Sequence, residues 1–376
     1  MNFNNFKIIL SFLLLGVCLV NCDETTPVNP PLIEEEVIEE EITPTPTTST
    51  PEAESDSTLI PIQKTIAFYN VENLFDTVDD PENGGDNEFL PSAVKQWTVE
   101  RYEHKLNNIA KVIEGMDFPI VMGLSEVENE KVVKDLTEVA TLSDYQYEVV
   151  HEQSPDHRGI DVALIYRPSV FELLEWKTYQ VDIPDERIAN FTTRDILLVK
   201  GKIAESIVYV FVNHWPSRSG GASVTESRRT FVAAELRKAV EEVQESDPDA
   251  KIIIMGDLND EPTNKSVVEV LQTKISKNAS IVATDLYNCT SELDEAGEGS
   301  FNFQGDWQMI DQIISSGNLL NMEAPLSILD FQVYNDEELL FNHPSNGLTP
   351  DRTYGGDTYH GGFSDHLPIY IEVNIQ

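Results

Sequence analysis

The sequence predicts an α/β domain in which sheets are covered by helices, behind a non-globular N-terminus. Three observations point there. Beyond residue 61, apolar runs rich in Ile, Val, Phe and Tyr alternate with amphipathic stretches at helical spacing. No internal repeat interrupts that alternation, and no second apolar stretch is long enough to span a bilayer. The chain has 376 residues, enough beyond its atypical N-terminus for one large domain or two small ones.

The N-terminus reads as an address followed by a tether. Lys7 precedes an apolar run over residues 8–20, which ends in Asn21-Cys22. This is the pattern of a secretory signal and is too short for a spanning helix. Leu19-Val20-Asn21-Cys22 resembles a bacterial lipoprotein box, although Asn21 replaces the usual small residue. The resemblance implies cleavage before Cys22, lipidation of that residue and export to the bacterial cell envelope, at the outer membrane or cell surface. Ordinary secretion or an uncleaved anchor is the alternative. Residues 23–58 are rich in Pro, Thr, Glu and Ser and cannot bury a core, so an extended acidic tether is expected. Residues 59–376 remain for the folded domain.

The net charge is −41. Beyond residue 56 the body carries 24 Lys/Arg against 55 Asp/Glu, a net charge of −31. This argues against a broad basic face for duplex recognition. It leaves room for an enzyme that touches a few phosphates through a metal and individual arginines. Of three cysteines, Cys18 lies in the leader and Cys22 ends it; Cys289, alone in the body, is expected to pack inertly. Nothing points to a protein partner, and a monomer is expected.

Strands are predicted over residues 62–69, 119–124, 146–150, 160–166, 207–212, 251–255, 309–314 and 367–373. Helices are predicted over 98–114, 129–140, 225–244 and 264–273. In the first helix Leu106, Ile109, Val112 and Ile113 share a face; in the third, Phe231, Val232, Leu236, Ala239, Val240 and Val243 do.

Several of these strands run straight into polar residues. The first ends at Asn70 with Glu72 beyond, and the second at Glu126. The 207–212 run leads to Asn213-His214, and the 251–255 run to Asp257 and Asn259. Met309-Ile310 meets Asp311, and Asp365-His366 precedes the last strand. Any one of these alone is an ordinary turn former or helix cap. Gathered at one sheet edge, they would form a site on a rigid scaffold.

Tyr69-Asn70-Val71-Glu72, Ser125-Glu126-Val127-Glu128-Asn129, Gly256-Asp257-Leu258-Asn259-Asp260, Ile310-Asp311 and Ser364-Asp365-His366-Leu367-Pro368 appear in this order. The ordered set resembles the endonuclease/exonuclease/phosphatase superfamily over residues 60–376. The resemblance implies a four-layered sandwich, two mainly antiparallel sheets packed face to face with helices outside. It implies a metal held by Glu126, with Asn70, Glu72 and Asp365 near it. Mg²⁺ is expected, with Mn²⁺ as a substitute and Ca²⁺ as a structural ion. Asp257 and Asn259 resemble the pair that positions the attacking water, and His366 the histidine oriented by a carboxylate, here Asp311. His214 matches a second histidine of the nonspecific deoxyribonucleases; the general base stays open between Asp257 and His366.

Around this set, Asn213 and Arg218 are candidate substrate contacts. Arg158 is either a phosphate clamp or a salt bridge to a site carboxylate, and Asp161 is a candidate to orient His214. Arg228 and Arg229 are expected on a solvated helix face, and Trp215 either stacks a base or packs internally.

The implied activity is metal-dependent phosphodiester hydrolysis, with nucleic acid as substrate. A phosphatase or phospholipase of the same fold, acting on inositol phosphates or sphingomyelin, is the alternative; the sequence shows no obvious exposed aromatic hairpin for membrane insertion. A noncatalytic surface-binding module is the third possibility.

Overall fold

Two β-sheets lie face to face in the computed structural model, which describes residues 62–81, 84–184, 191–275 and 280–376. The predicted leader, Cys22 and the tether lie outside those residues. The first half of the chain forms β1 (Ile62–Leu74), α1 (Val99–Gly115), β2 (Val121–Val127), α2 (Glu130–Thr137), α3 (Ala140–Ser143), β3 (Glu148–His151), β4 (Asp161–Tyr166), β5 (Phe171–Tyr179), β6 (Ile196–Ile203) and β7 (Ser206–His214). Next come α4 (Ala222–Ser246), β8 (Lys251–Asp257), β9 (Thr273–Lys274), β10 (Leu286–Asn288), α5 (Ser291–Glu295), β11 (Phe301–Phe303), β12 (Asp306–Gln308) and β13 (Asp311–Ser316). The last elements are β14 (Leu326–Val333), β15 (Leu340–His343), β16 (Gly347–Pro350), β17 (Tyr354–Gly355), β18 (Thr358–Tyr359) and β19 (Ile369–Ile375).

The first sheet has the order β14-β19-β1-β2-β4-β3 and the second β5-β6-β7-β8-β13-β10-β9. Most neighbours are antiparallel, but β1 with β2 and β7 with β8 are parallel pairs near the sheet centres, and the short β9 and β10 pair in parallel at the edge of the second sheet. A parallel pair needs a long crossover, and α1 and α4 supply one each. Three short hairpins, β11–β12, β15–β16 and β17–β18, stand apart from the sheets.

Alternation along the strands builds the layers. Val210, Val212, Ile253, Met255 and Ile313 of the second sheet meet Phe68 and Met122 of the first in one apolar core. Their neighbours Phe211, Ile252, Ile254 and Ile314 face the other way, onto Val232, Leu236 and Val240 of α4. On the far side α1 buries Leu106, Ile109, Val112 and Ile113. The result is four layers, helix–sheet–sheet–helix. At Gly123 the sheets approach so closely that a Cβ would lie 2.7 Å from the Met255 sulfur and would force that side chain to shift.

All eight predicted strands are present. The prediction missed the long strands β5, β6 and β14, and the short ones β9–β12 and β15–β18. The edge strand β5 exposes much of its length, so Phe171-Glu172-Leu173-Leu174-Glu175-Trp176 shows no clean apolar run. The helix predicted over 129–140 stops at Thr137, and α3 starts after Val139. The one predicted over 264–273 is a single wide turn, Ser266–Val270, closed by Leu271 N–H donating to the Ser266 carbonyl. Gln272 then takes a left-handed backbone with φ 63° and redirects the chain into β9.

Candidate active site

The polar residues that follow the strands meet because the strands share a register. His214, Asp257 and Asp311 sit side by side across β7, β8 and β13. Asn70 lies in β1 opposite Ser125 of β2. Both β1 and β2 carry a bulge just after that pair, where Glu72 and Glu126 take left-handed backbones of φ 50° and 63°. A bulge re-aims a side chain, and such backbone costs about 1–3 kcal/mol per residue. Asn259 adopts the same region at φ 50°. These strained carriers lie together in the cleft formed where the two sheets meet.

Asp257 is the hub of that cleft. Its Oδ2 lies 3.1 Å from Asn70 Nδ2, 3.5 Å from His214 Nε2 and 3.9 Å from His366 Nε2. Its Oδ1 accepts from Asn259 N–H at 2.9 Å. His366 Nδ1 lies 2.6 Å from Asp311 Oδ2, which also accepts from the Ser300 hydroxyl at 2.5 Å. Ser364 donates to the Asn70 carbonyl and accepts from His366 N–H, tying the last loop to β1. Glu126 Oε1 is 4.0 Å from His214 Nε2, and Arg158 holds both Glu126 oxygens at 3.2 and 3.1 Å.

Electrostatics separate the groups. Burial alone would lower the His366 imidazole, but the carboxylates of Asp311, Asp257 and Asp365 overcome it and hold it well above its ordinary value. His214 goes the other way: burial, reinforced by the positive Arg194, Arg158 and His366, holds it well below. Its Nδ1 is buried without a hydrogen-bond partner. Burial, opposed by His366 and reinforced by Asp311, pushes Asp257 up to about 7. Burial and then Asp365 push Glu72 to about 7 as well, against the pull of Lys105.

That crowding of carboxylates bears on whether a metal fits. Asp257, Asp311 and His366 offer ligand atoms within 4.8 Å of one another. Glu126 and Asp365 are further hard oxygen donors: Glu126 is held by Arg158 and by the Asn73 N–H at 3.1 Å, Asp365 by the Arg352 guanidinium, and Asn70 stands beside Asp257. An excess of buried negative charge with oxygen donors suits a hard divalent cation.

The structure corrects several expectations around this centre. Asn213 is no substrate contact: it points to the opposite face of β7 from His214, fully buried against the Met255 carbonyl and Trp215. Trp215 is also fully buried and packs internally. Asp161 does not orient His214; it accepts from Ser154 and pairs with His151 at 2.9 Å. Arg218, expected to contact substrate, is held by the Asn259 carbonyl, Glu261 and Gln308. Arg229 is not solvated; it is buried 2.7 Å from Asp260. Arg158 forms the salt bridge with Glu126 and keeps its side chain 37% exposed. Both Glu72 oxygens accept backbone N–H groups, from Thr353 at 2.7 Å and Tyr354 at 3.3 Å. Phe303 and Phe341 are exposed aromatics on two hairpins, which the sequence did not reveal. Cys289 is buried, with its thiol 3.6 Å from the Ser315 hydroxyl.

Three cationic side chains escaped the sequence reading. Arg194 donates to the His214 and Trp215 carbonyls and pairs with buried Asp156 at 2.8 Å. Arg352 pairs with Asp365 at 2.5 Å. Lys105 is fully buried and donates to Thr353 Oγ1 and the Phe363 carbonyl. Of these, only Lys105 left a trace in the sequence, as a charge beside Leu106 and four residues before Ile109 on the apolar face of α1.

A two-sheet sandwich with a buried His–Asp pair, a second histidine and clustered carboxylates defines a hydrolase site of the phosphoester type. The chain belongs to the Endonuclease/Exonuclease/phosphatase family, which it matches over residues 65–375. Among curated proteins no sequence match is found. Solved structures with the same fold include an endonuclease/exonuclease/phosphatase family protein from Bacteroides thetaiotaomicron, at 18% identity and TM-score 0.52, covering 84% of this chain and 99% of that one. The mannosyl-6-phosphatase Bt3783 of the same organism is 18% identical at TM-score 0.50, covering 82% and 99%. TDP2 of D. rerio complexed with single strand DNA product is 15% identical at TM-score 0.50, covering 83% and 99%. The family fold points to phosphoric ester hydrolysis.

Proposed function

We propose that this chain is a metal-dependent phosphodiesterase that hydrolyses nucleic acid. The observation that carries the reading is the hub: one carboxylate, Asp257, touched by Asn70, His214 and His366, with the His366–Asp311 pair behind it. A phosphodiester is anionic and resists attack, so hydrolysis needs charge neutralisation, an activated water and a stabilised leaving oxygen.

The residues divide these tasks. His366 keeps its proton, so it serves as a positive hydrogen-bond donor to the phosphate rather than as the base. Asp257, at about 7, is poised to take a proton from water near neutral pH, and Asn259 holds its other oxygen in place. His214 enters neutral and donates or accepts through Nε2. Arg158 neutralises a phosphate oxygen from the Glu126 side. A hard divalent cation, Mg²⁺ or Mn²⁺, would be held by Glu126, Asp365 and Asn70 and would supply Lewis-acid neutralisation of the phosphate.

Nucleic acid is preferred because His214 matches the position of the second histidine of deoxyribonucleases, and a similarly folded protein was solved with a single-strand DNA product. The exposed Phe303 and Phe341 favour a second reading, a substrate with an apolar part such as a lipid. The leader, through Cys22, places the enzyme on the bacterial cell envelope in this reading. The test offers plasmid DNA, RNA, inositol phosphates and sphingomyelin to the purified protein, with Mg²⁺ or EDTA and an Asp257→Asn control. Cutting of nucleic acid that EDTA and the variant abolish is expected. Turnover of lipid or inositol phosphate alone would overturn the reading, and activity undiminished by EDTA would remove the metal.

A further inference from the structure

Two guanidinium groups reach the carboxylates of the cleft, and they differ from the other arginines near it. Arg194 and Arg229 are packed away, with side chains 5% and 1% exposed, each against a buried aspartate. Arg158 on Glu126 is 37% exposed and Arg352 on Asp365 is 45% exposed. Arg352 also places Nε 3.9 Å from Glu72 Oε1.

The backbone that carries Arg352 is pinned at its base. Glu72 accepts the N–H groups of Thr353 and Tyr354, and Lys105 holds Thr353 Oγ1 at 2.6 Å. The Asp351 carbonyl accepts from Phe363 and Ser364 N–H, locking Asp351 to the loop that delivers Asp365 and His366. A fully buried lysine and a strained, buried glutamate thus fix residues 351–354, leaving the long side chain of Arg352 open to solvent at the cleft. A framework role would have buried the guanidinium, as it has at Arg194.

We propose that Arg352 is a substrate-binding residue that grips a non-bridging oxygen of the substrate phosphate from the Asp365 side, as Arg158 does from the Glu126 side. A half-exposed ion pair is worth little, so exchanging a carboxylate for a phosphate costs the guanidinium little. Its planar fork matches two phosphate oxygens, which an ammonium cannot do. Two such groups equip an otherwise acidic body to hold an anionic ester without a basic face. The proposal rests on the phosphodiesterase reading for its substrate but concerns the phosphate itself.

The test compares wild type, Arg352→Gln and Arg352→Lys as full-length protein. Binding of inorganic phosphate is measured by titration calorimetry in EDTA and in Mg²⁺. kcat, KM and the Mg²⁺ concentration for half-activity are measured on bis(p-nitrophenyl) phosphate, p-nitrophenyl phosphate and a single-stranded oligonucleotide. Arg352→Gln should weaken phosphate binding about tenfold or more, the worth of one charge-assisted hydrogen bond. Arg352→Lys should recover only part of it, and the thermal midpoint should stay put. Unchanged phosphate affinity with a raised Mg²⁺ requirement would show that Arg352 only orients Asp365, and the proposal fails. It fails equally if wild type binds no phosphate in either condition. Turnover of p-nitrophenyl phosphate but of neither diester would sink the nucleic-acid reading alone, since the phosphate arm still decides on Arg352.

Discussion

The two imidazoles of the cleft are both buried within reach of the same Asp257 oxygen, yet they are driven in opposite directions. His366, at the foot of β19, has a carboxylate 2.6 Å from Nδ1 and others nearby, so it stays charged. His214, at the end of β7, has no partner on Nδ1 and two arginines behind it, so it stays neutral. Burial by itself strips charge from an imidazole; only a built-in carboxylate reverses that. One dry space therefore holds a cationic donor and a neutral imidazole side by side, the separation of roles that acid–base chemistry needs.

The largest test of this comparison is Asp311→Asn. With its counter-charge gone, His366 should lose its proton at a lower pH in an NMR titration, and kcat/KM should fall about 10²–10⁴-fold. An unmoved His366 titration would break the contrast. Next comes Arg194→Met, on the His214 side. Removing one partner of the buried Arg194–Asp156 pair should cost about 3–5 kcal/mol in urea unfolding. It should also raise the His214 pKa toward its ordinary value; a variant as stable as wild type would show the pair to be idle.

The smallest effect comes from Glu128, outside the cleft, where neighbouring aspartates reinforce burial against one hydrogen bond from the Asp76 N–H. Burial first, then Asp76, Asp86 and Asp80, raise its carboxyl to about 7. The folded state thus prefers the proton, and wild type loses stability as pH climbs from about 4.5 through about 7. Glu128→Gln keeps an acceptor for Asp76 N–H and drops the charge. Its melting temperature should exceed wild type by about 2–4 °C at pH 8 and match it at pH 4, an estimate that takes the gain as about 1 kcal/mol. An equal gain at both pH values would mean that packing, not charge, is responsible.

Much of the site was legible because its residues terminate apolar strands. Asn70 stands just before the bulge of β1, and Glu126, His214, Asp257, Asp311 and His366 at or near a strand end, where an interrupted apolar run is visible in the chain itself. Asn213 was misread although it adjoins His214, because adjacent residues of a strand face opposite sides and the face is set by packing. Arg158 was ambiguous and Arg229 was misread for a related reason. A charge reads the same in sequence whether its partner is water or an aspartate; Asp260, the partner of Arg229, lies 31 positions further on.

Local patterning by itself determined the strand-and-helix alternation and the inventory of polar groups that interrupt it, because periodicity and breaks in it are short-range properties. Tertiary structure alone decided which sheet each strand joins, that β7, β8 and β13 share a register, and that one histidine is charged and the other neutral. Those outcomes depend on contacts between residues tens to hundreds of positions apart, and on the loss of water that only the packed sheets impose.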